Sequence, residues 1–229
     1  MTEPIVSCRN VTKTFGEGEL MVRALDAVNL DILAGDFATL AGPSGSGKTT
    51  LLNMIGALDH PSSGQVLVEG EDITGLGQDA LSELRLRKIG FVFQAYNLIP
   101  VLSARENIEF VLELQGVGRE LRRARAEELL EKVGLAGLGH RRPSALSGGQ
   151  QQRVAVARAL VSNPAIVLAD EPTANLDSRT TAELVDLMQE LNREFGTTFV
   201  IGTHDPRVID RSRRHIELED GRITSDTRL

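Results

Sequence analysis

Several residue types are rare or missing in this sequence, and each absence narrows what the chain can do. Its 229 residues include no tryptophan and one tyrosine, and aromatic residues make up 3% of the chain. Platforms for single-stranded nucleic acid stack bases on aromatic rings, so this composition disfavours such a platform. Cys8 is the single cysteine, which excludes an internal disulfide and fits a reducing compartment.

Long apolar runs are also missing. No stretch approaches the roughly 18 apolar residues that are typical of a membrane-spanning helix. The opening sequence MTEPIVSCRN has no basic region followed by an apolar one, so we expect no secretory signal. The net charge of −7 disfavours a broad nucleic-acid surface, which needs clustered positive charge. We therefore expect a cytoplasmic protein that binds no nucleic acid and reaches a membrane only through a partner.

Strand-like and helical patterns alternate at both ends of the chain. Apolar runs predict strands at 5–6, 11, 27–33, 37–41, 65–69, 89–93, 165–169 and 198–201, and a hairpin joining 215–218 to 222–224. Helical patterns cover 48–58 and 178–195, and three more helices, at 103–115, 119–133 and from 146 to about 161, form a block between the strands. Ser103 and Glu106 have the spacing of a capping box. The order predicts an α/β core with an inserted helical lobe.

A glycine-rich segment follows the strand at 37–41. It reads GPSGSGKTT and fits the pattern G-x-x-x-x-G-K-[ST], in which glycines let backbone N–H groups curl around a phosphate. The helix that follows adds its positive end. Lys48 is expected to neutralise the β- and γ-phosphates of ATP, and the Thr49 hydroxyl can bind Mg²⁺. The candidate ATP contacts here are Gly42, Pro43, Ser44, Gly45, Ser46, Gly47, Lys48, Thr49 and Thr50.

Two carboxylates, Asp170 and Glu171, follow the apolar run AIVLA. A carboxylate at the carboxyl end of a strand lies where open α/β sheets bind ligands. Asp170 can orient Mg²⁺, and Glu171 is the candidate base for the attacking water. Alone, such a pair would be an ordinary strand end, and the phosphate loop makes the functional interpretation stronger.

A second glycine-rich segment, LSGGQ at 146–150, opens another helix. Ser147 is positioned as its N-cap, and Gly148 and Gly149 leave backbone N–H groups open. One chain would then carry two anion-binding helix starts, which suggests that one of them serves a different molecule. This pentapeptide resembles the signature of ABC-type ATPases, and the resemblance extends over nearly the whole chain.

The resemblance implies roles for further residues. Gln94 is similar to the family's Q-loop glutamine, which contacts Mg²⁺, and His204 in GTHD is similar to its switch histidine, which contacts the γ-phosphate. Residues 166–172 (IVLADEP) resemble the Walker B strand and 175–177 (NLD) the D-loop. Phe15 stands where the family usually has a tyrosine that stacks on adenine, although it could instead fill the core of the β lobe. The expected catalytic residues are Lys48, Gln94, Glu171 and His204.

The resemblance also implies the architecture and the assembly. We expect a P-loop NTPase (RecA-like) core with an N-terminal antiparallel β subdomain, formed by 1–94 and 161–229, and a helical signature subdomain at about 95–160. The chain would be a single ABC ATPase domain spanning 1–229. ATP would lie between two head-to-tail copies, and the second copy would contribute Ser147, Gly148, Gly149, Gln150 and Asp177.

The stretches GFVFQAYNLIPVLSARENIEF and LSGGQQQRVAVARALVSNPAIVLADEPTANLDS resemble the group of lipoprotein-releasing, macrolide-exporting and FtsE-like ATPases. This implies a separate membrane permease that docks on the helical subdomain near Gln94–Pro100, with the chain on the cytoplasmic face of the inner (plasma) membrane. The resemblance leaves open whether hydrolysis would drive transport or the transmission of mechanical motion. Leu98 and Ile99 could meet a permease helix or pack within the lobe.

Two alternatives are kept. A cytosolic ABC-type ATPase acting on nucleic acid or ribosomes would usually carry tandem ATPase domains or a long coiled coil. A small-molecule kinase with the same phosphate loop would leave LSGGQ, the D-loop and His204 without roles.

Overall fold

Four strands near the start of the chain form an antiparallel sheet. The computed structural model describes residues 3–228. The strands of this sheet are β1 (Pro4–Phe15), β2 (Val22–Leu33), β4 (Ser63–Val68) and β5 (Glu71–Asp72), and their order is β2–β1–β4–β5. The runs predicted at 5–6 and 11 therefore belong to one long strand. Register shifts along β1 and β2, with Asn10 and Ala27 in the left-handed region, interrupt the alternation that would have revealed its length.

Six strands form the central sheet. They are β3 (Phe37–Ala41), β6 (Ile89–Phe93), β7 (Ile166–Asp170), β8 (Thr198–Thr203), β9 (Arg214–Glu219) and β10 (Arg222–Arg228). Their order in the sheet is β10–β9–β3–β8–β7–β6. All neighbours in this sheet are parallel except β9 and β10, which form the expected hairpin. The last residues of β3, β6 and β7 pair with Thr203, Asp170 and Gly202. The segments that follow β3, β6, β7 and β8 therefore meet at one edge of the sheet.

Both faces of the central sheet are covered. In β7, Val167 and Ala169 belong to one buried apolar cluster, whereas Ile166 and Leu168 belong to the other. A strand buried on both faces reads as a continuous apolar run, which is why AIVLA has no alternation. The first cluster also contains residues of the helical block, so this block packs directly on the sheet.

Between residues 3 and 228 there are seven α-helices: α1 (Lys48–Ile55), α2 (Gln78–Lys88), α3 (Ala104–Leu114), α4 (Arg119–Lys132), α5 (Gly148–Leu160), α6 (Ser178–Phe195) and α7 (Pro206–Ile209). Helices α3, α4 and α5 lie between β6 and β7, as predicted, and α3 begins with the predicted Ser103–Glu106 capping box. Helix α1 ends at Ile55, short of the predicted Leu58, because Ala57 adopts a left-handed conformation.

Helix α2 is an element that the sequence pattern did not predict. Leu81 is its single buried residue, so the sequence lacks the apolar period that normally indicates a helix. The remaining architecture confirms the expected α/β class, with a P-loop core, an antiparallel β subdomain and a helical insertion. Within the described residues, no helix combines the length and the hydrophobicity needed to span a membrane.

Candidate nucleotide site

The phosphate loop joins β3 to α1 and depends on glycine at two positions. Gly42 has φ +151° and Gly47 has φ +106°, values that side-chain-bearing residues rarely adopt. A Cβ atom on Gly42 would lie 2.1 Å from the carbonyl oxygen of Leu218, and one on Gly47 would lie 2.5 Å from that of Ala24. Any other residue at either position would push the loop away from β9 or β2.

Lys48 is held inside the curl of the loop. Its Nζ donates to the carbonyl oxygens of Gly42 at 2.7 Å and Pro43 at 2.9 Å, and its side chain is largely buried. Neutral carbonyl acceptors leave the charge of the ammonium uncompensated. The loop therefore presents a fixed cation beside its backbone N–H groups, which suits a polyphosphate.

Thr49 and Asp170 meet across the start of α1 and the end of β7. The Thr49 hydroxyl lies 2.9 Å and 3.1 Å from the two carboxylate oxygens of Asp170. Burial raises the pKa of the Asp170 carboxyl, and the charge of Glu171 adds to this rise, whereas the Thr49 hydrogen bond and the charge of Lys48 oppose it. The pKa stays raised, so Thr49 and Lys48 do not fully compensate the buried carboxylate.

Glu171 and His204 form a second polar pair beside the first. Glu171 has φ +46°, and its backbone N–H donates to the Gly202 carbonyl at 2.8 Å. Its Oε1 lies 2.7 Å from Nδ1 of His204, and its Oε2 accepts from the Thr203 hydroxyl at 3.4 Å. The left-handed turn after β7 directs the Glu171 carboxylate toward the segment after β8.

These groups line one pocket of about 380 Å³. Its lining residues are Ala24, Ser44, Gly45, Gly47, Lys48, Thr49, Thr50, Gln94, Asp170, Glu171 and His204. The structure therefore brings together residues that were predicted from four separate parts of the sequence. Ala24 was missed, since an alanine in β2 carries no chemical signal.

Other candidate residues lie outside this lining. Gly42, Pro43 and Ser46 contribute to the framework of the loop, in which the Ser46 carbonyl accepts from Gly221 at 2.9 Å. Phe15 is 46% exposed, and Nζ of Lys13 lies 5.0 Å from its ring centroid. The ring is therefore not part of the β-lobe core, and its proposed contact with adenine stays a prediction.

The signature residues are also outside the pocket of their own chain. Ser147 accepts from the Gln150 backbone N–H at 3.3 Å, and the Gln150 side chain accepts from the Ser147 N–H at 3.0 Å, which forms a complete capping box. Gly148 packs close to the Tyr96 hydroxyl, which lies 2.7 Å from where a Cβ would be. Asp177 caps α6 by accepting from the backbone N–H groups of Arg179 and Thr180.

Comparisons with known proteins agree with this geometry. Residues 25–174 match the family model described as ABC transporter. An uncharacterized ABC transporter ATP-binding protein from Thermotoga maritima is 48% identical over 93% of this chain and 91% of its own length. The macrolide export ATP-binding/permease protein MacB from Marinobacter nauticus is 46% identical over 98% of this chain. The chain spans about a third (35%) of the length of that relative.

Solved structures give the same result. The ATP-binding cassette MJ0796, in a dimeric post-hydrolysis state bound to ADP and Pi, superposes with a TM-score of 0.90 at 46% identity, covering 98% of both chains. The structure of cbiO1 from Clostridium perfringens, part of the transporter complex cbiONQ, has a TM-score of 0.89 at 28% identity, covering 99% of this chain and 89% of that one. The chain therefore belongs to the ABC transporter family, and it is an ATP-hydrolysing subunit of that family.

Proposed function

We propose that two copies of this chain bind Mg-ATP head to tail between them, and that hydrolysis drives a separate membrane permease. The observation that carries this proposal is the separation of two anion-binding helix starts. Lys48 and Thr49 line the nucleotide pocket, whereas Ser147, Gly148 and Gly149 do not. A signature that cannot serve its own pocket is available to complete the pocket of a second copy, together with Gln150 and Asp177.

The residues at the pocket fit a magnesium ion. Thr49 and Asp170 offer a hydroxyl and a carboxylate oxygen 2.9 Å apart, and the Gln94 amide lines the same pocket. Mg²⁺ prefers oxygen ligands and is commonly held by one or two carboxylates plus substrate phosphates. Phosphate oxygens of ATP would complete the ligand set. Bound Mg²⁺ would neutralise phosphate charge.

Glu171 is proposed as the base for hydrolysis. Its carboxylate lines the pocket close to Lys48 and His204, where it would accept a proton as water attacks the γ-phosphorus. The new P–O bond forms as the bond between the γ-phosphorus and the β–γ bridging oxygen breaks, giving ADP and phosphate. His204 would hold Glu171 through Nδ1 and contact the γ-phosphate, while Lys48 stabilises the negative charge that develops.

An apolar groove supports docking of a permease. This groove, called here the β6 groove, has a volume of about 590 Å³. Its lining residues are Leu58, Ser82, Arg85, Leu86, Ile89, Gly90, Phe91, Phe93, Asn97, Val111, Leu114, Arg158, Ala159 and Ser162. Phe91 and Phe93 stack in parallel with ring centroids 5.6 Å apart. The groove runs between β6, α2 and α3, and it would accept an apolar helix.

The β6 groove also refines the predicted docking segment Gln94–Pro100. Of that segment, Asn97 lines the groove, whereas Leu98 packs against the buried core. The lining includes Arg85 and Arg158 but no Asp or Glu, although the whole chain carries a net charge of −7. We propose that the permease docks with an apolar segment that also carries a carboxylate.

The proposed assembly implies a location and a division of the chain. We propose a peripheral position on the cytoplasmic face of the inner (plasma) membrane, reached through the permease. Residues 1–94 and 161–229 would form the ATP-binding body of the single domain, and about 95–160 the part that carries the signature. The order of α3, α4 and α5 between β6 and β7 supports this division.

Substitution of Ser147 by arginine tests the completion of the pocket by a second copy. We expect Ser147→Arg to abolish the ATP-dependent dimer in sedimentation velocity, because a bulky cation would block the interface. Binding of a fluorescent ATP analogue by the single subunit should remain within about twofold of wild type, since Ser147 does not line the pocket of its own chain. Loss of this binding in the single subunit would overturn the proposal.

Two exposed leucines test the docking site. Leu114 lines the β6 groove, whereas Leu121 on α4 is similarly exposed but lies outside it. We expect Leu114→Glu to remove a co-purifying permease from detergent-solubilised membranes and Leu121→Glu to retain it. Equal retention by both variants would refute this site. Ribosomes or DNA retained in place of a permease would favour the alternative ATPase class, and turnover that needs a small phosphoryl acceptor would favour a kinase.

A further inference from the structure

Gln152 is a polar residue buried in the apolar face of α5. Its exposed fraction is 0%, and its neighbours Val154, Ala155 and Val156 on the same helix are buried core residues. A buried side-chain amide must find hydrogen-bond partners, because leaving one of its groups unpaired costs about 1–3 kcal/mol. The partners of Gln152 lie outside its own helix.

The Gln152 amide joins the ends of two strands. Its Nε2 donates to the carbonyl oxygen of Pro172 at 2.7 Å and to that of Phe93 at 3.3 Å. Two carbonyl acceptors require the NH₂ group at this position, so the orientation of the amide is fixed by its partners. Pro172 directly follows Glu171, and Phe93 directly precedes Gln94. The bridge therefore touches the chain beside two residues of the nucleotide pocket.

The Gln152 bridge lies just beyond the point where the hydrogen bonds between β6 and β7 end. The pairing of β6 with β7 stops at Phe93 and Asp170, so the backbone beyond this pair needs other partners. Gln152 provides donors for both segments from α5, and the Phe93 carbonyl also accepts from the backbone N–H of Tyr96 at 3.1 Å. Asn175 adds a parallel tie, because its Nδ2 donates to the Gln94 carbonyl at 3.1 Å.

The other face of the same amide is unsatisfied. Oε1 of Gln152 is buried without a hydrogen-bond partner, so the amide carries a desolvation cost on this side while its NH₂ group satisfies the Pro172 carbonyl on the other. Packing therefore does not explain a glutamine at position 152. Its bonds to the backbone at two strand ends beside the pocket do. Gln152 also lies on α5 about 7.5 Å along the axis from Ser147, at 1.5 Å per residue.

We propose that Gln152 is a positioning residue for ATP hydrolysis. It fixes the separation between the backbone at Gln94 and the backbone at Glu171, and it ties this separation to the helix that begins with the signature. The inference rests on the ATPase activity of the family and does not depend on a permease or on its docking site.

The test compares Gln152→Met with Asn192→Leu. Methionine keeps the length of the side chain but removes both donors. Asn192 is an equally buried amide, and its Nδ2 donates to the carbonyls of Gly35 at 3.1 Å and Thr197 at 2.7 Å, just before β3 and β8, at the end of the sheet remote from the pocket. It therefore controls for the loss of any buried amide bridge.

For Gln152→Met we expect kcat for ATP to fall about tenfold or more, because misplacement of reacting groups by about 1 Å is costly. The KM for ATP should stay within about twofold, since Lys48 and its loop are untouched. Asn192→Leu should lower the melting temperature and leave kcat unchanged. Rates are measured with saturating subunit concentration, with folding checked by circular dichroism and dimer formation by sedimentation.

A second variant guards against a packing artefact of methionine. Gln152→Glu keeps the shape but offers acceptors to two carbonyls, so it should reduce kcat at least as much. The proposal is overturned if both Gln152 variants keep kcat within twofold of wild type. It is also overturned if Asn192→Leu loses kcat to the same extent, because the effect would then reflect stability alone.

Discussion

Glu171 has an unusual backbone conformation for a residue with a side chain. Its φ of +46° lies in the left-handed region, and such conformations cost roughly 1–3 kcal/mol and cluster at functional sites. Here the conformation is held by the bond from its N–H to Gly202. The left-handed conformation turns the Glu171 carboxylate toward His204. The position of the carboxylate therefore explains the backbone strain.

Replacement of Glu171 by glutamine tests its role as a base. Glu171→Gln keeps the size and an acceptor for His204 but cannot take a proton, so we expect hydrolysis to fall by ~10²–10⁴-fold while ATP binding is kept. Phosphate release and binding of a fluorescent analogue measure the two effects. Glu183→Gln, at a surface carboxylate paired with Arg153 and Arg179, should hydrolyse normally. Wild-type hydrolysis by Glu171→Gln would contradict the assignment.

The Asp170 carboxylate should lower the stability of the fold while it supports activity. Because its pKa is raised by burial, the ionised carboxylate is less favourable in the folded chain than in the unfolded one, and it costs stability at neutral pH. That cost disappears as the pH falls through the raised pKa. Asp170→Asn should therefore raise the melting temperature at pH 7 by about 1–3 °C, and this gain should shrink in acid.

The same variant should lose the response to magnesium. Scanning calorimetry with and without Mg-ATP measures both effects, because a nucleotide that binds the folded chain raises its melting temperature. We expect Mg-ATP to stabilise wild type far more than Asp170→Asn. A variant with lower stability than wild type at pH 7, or with an unchanged response to Mg-ATP, would show that the carboxylate has another role.

At the scale of elements, the helices α3 and α5 begin with the same type of cap, but the two caps have different roles. Ser103 accepts from the Glu106 N–H at 3.3 Å, and Ser147 accepts from the Gln150 N–H at 3.3 Å. In both boxes the side chain at the third position reaches back to the cap N–H. Ser103 is buried within the helical block, whereas Ser147 is exposed.

Substitutions at these two caps distinguish an effect on stability from an effect on function. We expect Ser103→Ala and Ser147→Ala each to lower the free energy of unfolding by about 1 kcal/mol, the usual worth of such a cap. ATP turnover should fall only in Ser147→Ala, because only that hydroxyl would face the nucleotide of another copy. Urea unfolding and steady-state turnover provide the comparison. Equal loss of turnover in both variants would mean that the signature acts merely as a helix start.

The sequence could predict the elements that carry their own signals. Helix α6 shows its apolar period and its terminal Gly196, and β7 is apolar up to its last residue, Asp170, so both were predicted nearly to the residue. Helix α2 was missed because it buries one leucine. The length of β1 was missed because bulges break its alternation.

In the candidate site, too, some residues could be predicted from the sequence and others could not. Lys48, Thr49, Asp170 and Glu171 stand in recognisable patterns at strand ends, whereas Gln94 and His204 were added by the resemblance to ABC-type ATPases. The Gln152 bridge was not predictable, since its acceptors are backbone carbonyls distant in sequence and carry no side-chain signal. The β6 groove likewise depends on how α2 and α3 pack beside one strand.

For the whole molecule, the arrangement predicts complementation between two inactive variants. In a head-to-tail pair, each site takes its phosphate loop and Glu171 from one copy and its signature from the other. Lys48→Ala disables the loop half, and Ser147→Arg disables the signature half. In a mixed pair, the loop of the Ser147→Arg copy meets the signature of the Lys48→Ala copy, and this site contains no substitution.

A mixed pair carries the Ser147→Arg obstruction at one site instead of two, so mixing the two variants in equal amounts should restore turnover to at most about one quarter of the wild-type rate, the value reached if half of the pairs are mixed and each has one intact site. The matched control mixes Lys48→Ala with Glu171→Gln. Lys48 and Glu171 line the same pocket of one chain, so both sites of every mixed pair stay damaged and no activity should return. If the signature acted within its own chain, neither mixture would regain activity. If both mixtures regained the same activity, Glu171 would act with the signature of its own copy and not with its own phosphate loop.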